Sequence, residues 1–233
     1  MAIFAYVYHQ VTLRIRDAVQ AGAFQDNARM EHFDVVFANR YLEAYYQFQA
    51  QQPTRQCWAV PFRHAQQRLL LLQHLFMGMN AHISFDLGLT AAQMASGSLS
   101  EDLRADFDQV NDILEAMINE MQRRVNKASP LLFLLDWIGG RGDEWVANFS
   151  LRSSRAMAWE LAVAIAPLEG EAREAVIDQF DAKVARLNTL IAAPPGRLLG
   201  FGLRLIRRFE PRAIAKIVER LKAPFLVPPK SMA

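Results

Sequence analysis

The sequence offers little thiol chemistry. It holds one cysteine, Cys57, in 233 residues, which excludes a disulfide framework and any zinc or iron–sulfur site built from several thiolates. Histidine is missing from everything after residue 82, since His9, His32, His64, His74 and His82 are the full set. Any further ligand supplied by the later part of the chain must therefore be a carboxylate or an amide. No apolar run reaches the roughly 18 residues that a spanning helix needs. The most apolar runs, Leu69–Leu72 and Leu131–Leu135, read as short core pieces. The opening MAIFAYVYHQVTLRIRD lacks both a basic stretch before an apolar core and a small-residue cleavage pattern, so a cytoplasmic protein is expected. There is no internal repeat and no low-complexity segment.

Apolar residues make up 52% of the chain and charged ones 21%, which excludes wholesale disorder. The net charge of +2 hides a split. From Pro194 onward nine Lys/Arg face two Glu, whereas the first 193 residues hold 17 Lys/Arg against 22 Asp/Glu. The division suggests an all-α core over 1–193 and a basic amphipathic segment over 194–233 packed on it. Alternatively, residues 197–222 contact an anionic membrane surface or an acidic partner. Nucleic-acid binding is not expected, because no recognised motif accompanies the basic stretch.

Helical periodicity runs through nearly the whole chain, and no strand pair is evident. The expected fold is one compact all-α domain of about seven to nine helices. The first helix spans about 3–21, with Val7, Val11, Ile15 and Ala18 on one stripe and Gly22 ending it. The second, Asp26–Gln51, repeats Met30, Phe33, Phe37, Tyr41, Ala44 and Phe48 and stops at Pro53. A third, Pro61–Leu87, opens on a proline suited to a first turn. It is apolar on nearly every side, which makes it the central element, and Gly78 allows a kink. Ser98-Leu-Ser-Glu101 fits a capping box ahead of the next helix. Further helices follow at Pro130–Ile138, Asp143–Ala166, Glu171–Ala192, Leu198–Phe209 and Pro211–Leu221.

Polar residues that interrupt apolar faces mark the candidate site. His9 and His32 fall opposite their helices' stripes and read as surface residues, and His64 as a bystander. Asp34 falls on the core face of the second helix, where a carboxylate needs a cation, a metal or several hydrogen bonds. Asp26 shares that face or serves as the N-cap. His82 and Asp86 lie four residues apart, so both point to one side of the central helix. Such a pair can ligate a metal, the carboxylate can fix the imidazole for acid–base work, or the two can simply satisfy each other in the core. His74 lies about 12 Å along an unbroken helix from His82 and joins it only if the helix opens near Gly78. Arg152 falls on the face of Trp145, Phe149, Ala156, Trp159 and Val163, with Arg155 at its edge. A guanidinium there would pair with Asp34 or Asp86, stack on Trp159, or hold an anionic ligand group. The Gly139–Glu144 segment, GGRGDE, lacks the Lys-Ser/Thr of a phosphate loop. Met77, Met79, Met117 and Met121 read as core fillers.

The run His74-Leu-Phe-Met-Gly-Met-Asn-Ala-His82-Ile-Ser-Phe-Asp86-Leu-Gly88 resembles the HLxLGMNAHINxDLG-like signature of an uncharacterised bacterial family, a domain of unknown function. Val11-Thr12, Phe24-x-Asp26, Asp34-x-x-Phe37-Ala38-x-Arg40-Tyr41 and Arg155-x-x-x-Trp159 resemble it too, in order across most of residues 6–165. Ser84 departs from the signature, which has Asn there. The resemblance implies an all-α fold and groups His74, Asn80, His82 and Asp86 as one constellation, without supplying an activity.

Two functions follow as expectations. One is a hydrolase with His82, Asp86, Asn80 and Arg155 as catalytic candidates. His74, His82, Asp86 and Asp34 would hold one divalent metal, such as zinc, iron or manganese, that activates water. In a metal-free variant His82 is the base and Asp86 orients it. The other is a non-catalytic helical module that binds an apolar or anionic small molecule.

Overall fold

In the computed structural model the described residues are 1–95, 99–128 and 151–210, without the side chains of 115–128, 197 and 198. Every regular element among them is helical, in a single compact domain. In chain order these are α1 (Ala2–Gln20), α2 (Asn27–Gln49), α3 (Gln56–His64), α4 (Leu71–Ala81), a π-helical turn (His82–Asp86), α5 (Leu87–Met94), α6 (Glu101–Ala128), α7 (Leu151–Ile165), α8 (Gly170–Ala192) and α9 (Arg197–Phe209).

The first two helices follow their stripes. α1 buries Ile3, Phe4, Val7 and Ile15, and α2 buries Met30, Phe33, Phe37 and Ala44. Gly22 takes φ +70° just past α1, a left-handed conformation that glycine adopts at no steric cost. Asp26 is the N-cap of α2 and accepts from Arg29 N at 2.9 Å. Ser100, rather than Ser98, caps α6 by accepting from Leu103 N at 3.1 Å. The capping-box reading therefore placed the cap two residues early, and Ser98 itself lies outside the described residues.

The expected single helix over 61–87 is in fact three pieces. Pro61 sits inside α3 instead of opening a helix. Pro61 has no N–H to offer the Cys57 carbonyl four residues back, and Asn188 Nδ2 donates to that carbonyl instead, at 2.8 Å. The chain then breaks between His64 and Leu71, where Leu70 N is bonded to Gln73 Oε1 at 3.0 Å. α4, the π-turn and α5 continue as one rod to Met94, well past Leu87. Its irregularity is the π-turn, in which Leu87 N–H reaches back to His82 O, and not a kink at Gly78.

That rod is the centre of the domain, with residues 81–88 all buried. α7 packs along α5 and the π-turn, α8 along α3 and α4, and α1 across α2 and α4. Two buried carboxylates stitch the outer helices together. Asp106 of α6 accepts from the backbone N–H of Gln25 and Asp26 at 2.6 and 3.2 Å and from Arg29 at 2.6 Å. Asp181 of α8 accepts from Gln56 N and Cys57 N at 2.8 and 2.7 Å. Each carboxylate thus meets the unpaired N–H groups and positive dipole end of another helix. The expected helices at 130–138 and 211–221, the 139–144 segment and residues 143–150 of the expected 143–166 helix lie outside the described residues.

Candidate functional site

The π-turn places the central pair. In an α-helix, residues four apart already share a side, and the extra residue of the π-turn widens the ring without parting them. His82 Nδ1–H donates to Asp86 Oδ2 at 2.8 Å. The same oxygen accepts from Trp58 Nε1 at 2.9 Å, an anchor from α3. Thr90 Oγ1 bonds the Asp86 carbonyl at 2.9 Å and in turn accepts from Arg40 Nε at 2.9 Å, while Arg40 also reaches Gln93 Oε1 at 2.7 Å.

His82 has no exposed surface. Its ring stacks on Phe37, with centroids 3.9 Å apart and planes at 6°, and meets Tyr8 edge-on at 4.2 Å. Phe4, Trp58 and Tyr41 complete the surround at 5.8, 6.0 and 6.3 Å. Burial lowers its pKa and so favours the neutral ring, against the opposing pull of Asp86. With Nδ1 carrying the proton, Nε2 carries the lone pair, and this atom is buried without a hydrogen-bond partner.

Two hollows flank the pair. On one side a cavity of about 100 Å³ is lined by apolar residues of α1, α2, α4, α6 and α7, together with Tyr8, Phe37, Asp34 and Arg155. On the other a polar cleft of about 560 Å³ has Asp86 and Trp58 in its wall, with Arg40, Arg55 and Arg173 among acidic residues. Tyr8 and Phe37 separate the imidazole from the first, and Asp86 faces the second.

The other candidates distribute differently. Asn80 is buried and donates to Val184 O at 3.1 Å and Asn188 Oδ1 at 2.9 Å, while its own Oδ1 accepts from Ser84 at 3.0 Å. Asn188 continues the chain to Cys57 O at 2.8 Å. Asn80 therefore holds α4 to α8, with Ser84 as a donor to it. His74 does not reach His82. Its charge environment is the Met1 amino group and His64, and burial lowers its pKa to about 4. Its Nδ1 is buried and unpartnered. Asp34 is half-buried on the cavity wall, where burial raises its pKa to about 6. Among the described residues no group of three or more His, Cys, Asp or Glu is placed to hold a metal ion.

The phase expected for the Asp143–Ala166 helix is corrected. Arg152 is exposed, as are Ala156 and Val163, while Arg155 is only 4% exposed. The large aromatics suggested one face, but α7 buries the stripe of Ser154, Arg155, Ala158, Leu161, Ala162 and Ile165. Small residues win because they let α7 approach α5 closely. A Cβ on Gly88 would stand 2.5 Å from Ala158 O. Arg155 pairs with neither Asp34 nor Asp86. It bonds the Phe107 carbonyl and lies over the Phe107 ring, 4.2 Å from its centroid. The cation on Trp159 is Arg104, at 4.6 Å. Arg155 Nε has no partner, and burial lowers the group's pKa to about 10, so it stays charged at neutral pH.

Sequence reasoning missed Trp58, Asp181, Asn188 and Asp106. Asp181 and Asn188 carried a usable signal. They lie seven apart, and so on one side of α8, within the stripe of Ile177, Val184 and Ile191. Trp58 carried none, because its partner lies on another helix. His9 and His32 are exposed as expected, and His64 Nδ1 bonds Val60 O at 2.9 Å within its own helix.

No curated protein and no solved structure matches this chain. A family model does match, over residues 1–194, and on that match the chain belongs to DUF5995, a family of unknown function.

Proposed function

We propose that this chain is an enzyme in which His82 Nε2 is a general base, taking a proton from a small substrate or from the water that attacks it. The observation that carries this reading is the pairing at the imidazole: Nδ1 is locked by Asp86 while Nε2 is buried with its lone pair unused. An unpaired buried acceptor costs about 1–3 kcal/mol, a cost that stability alone gives no reason to keep. Asp86 fixes the tautomer, Trp58 fixes Asp86, and the flat contact with Phe37 sets the plane of the ring. The neutral ring is the form a base needs. Tyr8 and Phe37 touch the imidazole and also line the apolar cavity, so a molecule held there lies one ring away from His82.

In this reading Asp86 is an orienting group and not a metal ligand beside His82, because it bonds the opposite ring nitrogen from the one that is free. His74 and Asp34 stand apart from the pair, and Asn80 is a structural contact. Arg155 is the remaining candidate for contact with substrate, through the cavity it lines.

The second reading, a module that binds without reacting, draws support from the cavity itself, whose lining is mainly apolar. One experiment separates the two. Wild type, His82→Gln and Asp86→Asn are assayed against panels of small aryl esters, amides and phosphate esters, with and without chelator, and the metal content of each protein is measured. The enzyme reading expects one class to be turned over, with losses of about 100-fold or more for His82→Gln and smaller losses for Asp86→Asn. A panel on which wild type never exceeds either variant, with all three proteins retaining the same small ligand, overturns it in favour of the module.

A further inference from the structure

α9 presents two different faces. Leu203 and Ile206 are buried against Leu70, with Leu199 beside them. Glu210 accepts from Leu71 N at 3.0 Å and closes the N-terminus of α4. The helix is therefore seated on the body by apolar contact and one cap. Its opposite face carries Phe201 at 60% exposure, Leu205 at 39% and Phe209 at 58%. At 100° per residue these three, with Arg204 and Arg208, fall within about 140° of arc, the arginines along one edge. Both arginines are exposed.

A second feature lies beside that edge. Arg207 donates to the carbonyl of Arg68, which draws α9 onto the linker before α4. Arg68, Arg204, Arg207 and Arg208 together line a concavity of about 410 Å³. None of the four is in an ion pair among the described residues, although the body before Pro194 is net acidic. Four guanidinium groups lining one concavity, with no acidic partner among the described residues, repel one another unless an anion lies between them.

We propose that this face of α9 docks on an anionic phospholipid surface. Phe201, Leu205 and Phe209 would enter the headgroup–acyl boundary, and the arginine cluster would take phosphate oxygens of the lipids. Exposed aromatic and aliphatic side chains beside a row of arginines on one helix face are the chemistry of interfacial attachment. No described helix is long and apolar enough to cross a membrane, and at 13 residues α9 suits lying in the interface. A soluble acidic partner would use the arginines but would leave the three apolar side chains unexplained.

The test is co-sedimentation of the full chain with vesicles of phosphatidylcholine alone and of phosphatidylcholine mixed with phosphatidylglycerol. The double variants Arg204→Glu/Arg208→Glu and Phe201→Ser/Phe209→Ser are run alongside. All four substituted residues are exposed, and circular dichroism checks that the fold is kept. Expected is binding to the anionic vesicles only, weakened by salt, with a loss of about tenfold or more in the arginine variant. The phenylalanine variant should also bind less while keeping the salt dependence. Equal binding to both vesicles, no binding to either, or unchanged binding by the arginine variant overturns the proposal. So does a doubled solution mass that reverts in the phenylalanine variant, which would make a second copy the occupant.

Discussion

Trp58 Nε1 and His82 Nδ1 converge on a single oxygen of Asp86, at 2.9 and 2.8 Å. The indole belongs to α3 and the imidazole to the π-turn, so this carboxylate ties a peripheral helix to the centre of the fold and sets the imidazole tautomer. The two roles separate by mutation. Trp58→Phe removes one bond to a buried carboxylate and should cost about 1.5–3 kcal/mol in urea unfolding, before any loss of packing. The His82 ring should keep its Nδ1–H tautomer, visible in the imidazole ¹⁵N shifts. Asp86→Ala should lose both stability and the tautomer preference. Loss of the tautomer in Trp58→Phe as well would mean that the indole orients the imidazole.

Gly88 and Gly78 make a second prediction. A helical Gly→Ala change ordinarily stabilises by about 0.5–1 kcal/mol. At Gly88 the new methyl would stand 2.5 Å from the Ala158 carbonyl and 3.0 Å from Leu161, and backbone oxygen cannot turn aside. At Gly78 it would stand 2.7 Å from the buried ring of Phe4. Both substitutions should reverse the usual sign, with Gly88→Ala the worse at about 2–3 kcal/mol. Thermal denaturation of the two variants would show it, and a gain at Gly88 would refute the close approach of α5 and α7.

How far the sequence could be read depended on the distance over which its constraints act. α1 and α2 were legible because a single face of each meets the core, so their stripes repeat at helical spacing. The break between His64 and Leu71 was not, because Leu69–Leu72 continues an apolar run that looks helical on any side. What caps α4 is supplied by Gln73 and Glu210, the latter more than a hundred residues away. The phase of α7 was misread for a related reason. Trp159 looks like core, but the tight contact with Gly88 selects the side that carries Ala158 and Leu161 for the interface and leaves Trp159 half-buried under Arg104. His82 and Asp86 could be paired from their spacing alone. The aromatic surround and the unpaired Nε2 could not, because they come from α1, α2 and α3 meeting the π-turn.

The two interhelical carboxylates should matter more than surface ion pairs of similar geometry. Asp181→Ala would leave the N–H groups of Gln56 and Cys57 unpaired and is expected to cost roughly 2–4 kcal/mol. Ser100→Ala, an ordinary cap, should cost about 1 kcal/mol. The exposed Arg104–Asp108 pair, at 2.6 Å, should contribute under about 1 kcal/mol. Denaturant midpoints for the three substitutions, with Asp108→Ala for the last, rank these effects. Asp181→Ala falling level with Asp108→Ala would refute the capping role.

Asp34 and His74 should give opposite dependences of stability on pH. Burial raises Asp34 from 3.8 to about 6, so between those values the folded chain keeps a proton that the unfolded chain has released. Stability therefore declines as pH rises through that window, and the cost, roughly 2–3 kcal/mol, is complete above it. Burial lowers His74 from 6.5 to about 4, so here the unfolded chain takes up the proton first. Stability falls as pH drops from 6.5 towards 4, by roughly 2 kcal/mol once partial exposure is allowed for. Asp34→Asn should accordingly stabilise the protein at about pH 8 and have little effect at about pH 4. His74→Leu should do the reverse, because it removes a buried, unpartnered nitrogen that the unfolded chain protonates in acid. Urea unfolding at the two pH values measures both. Parallel behaviour of the two variants would show that local burial does not set either pKa, and that the charge of the whole molecule governs its response to pH.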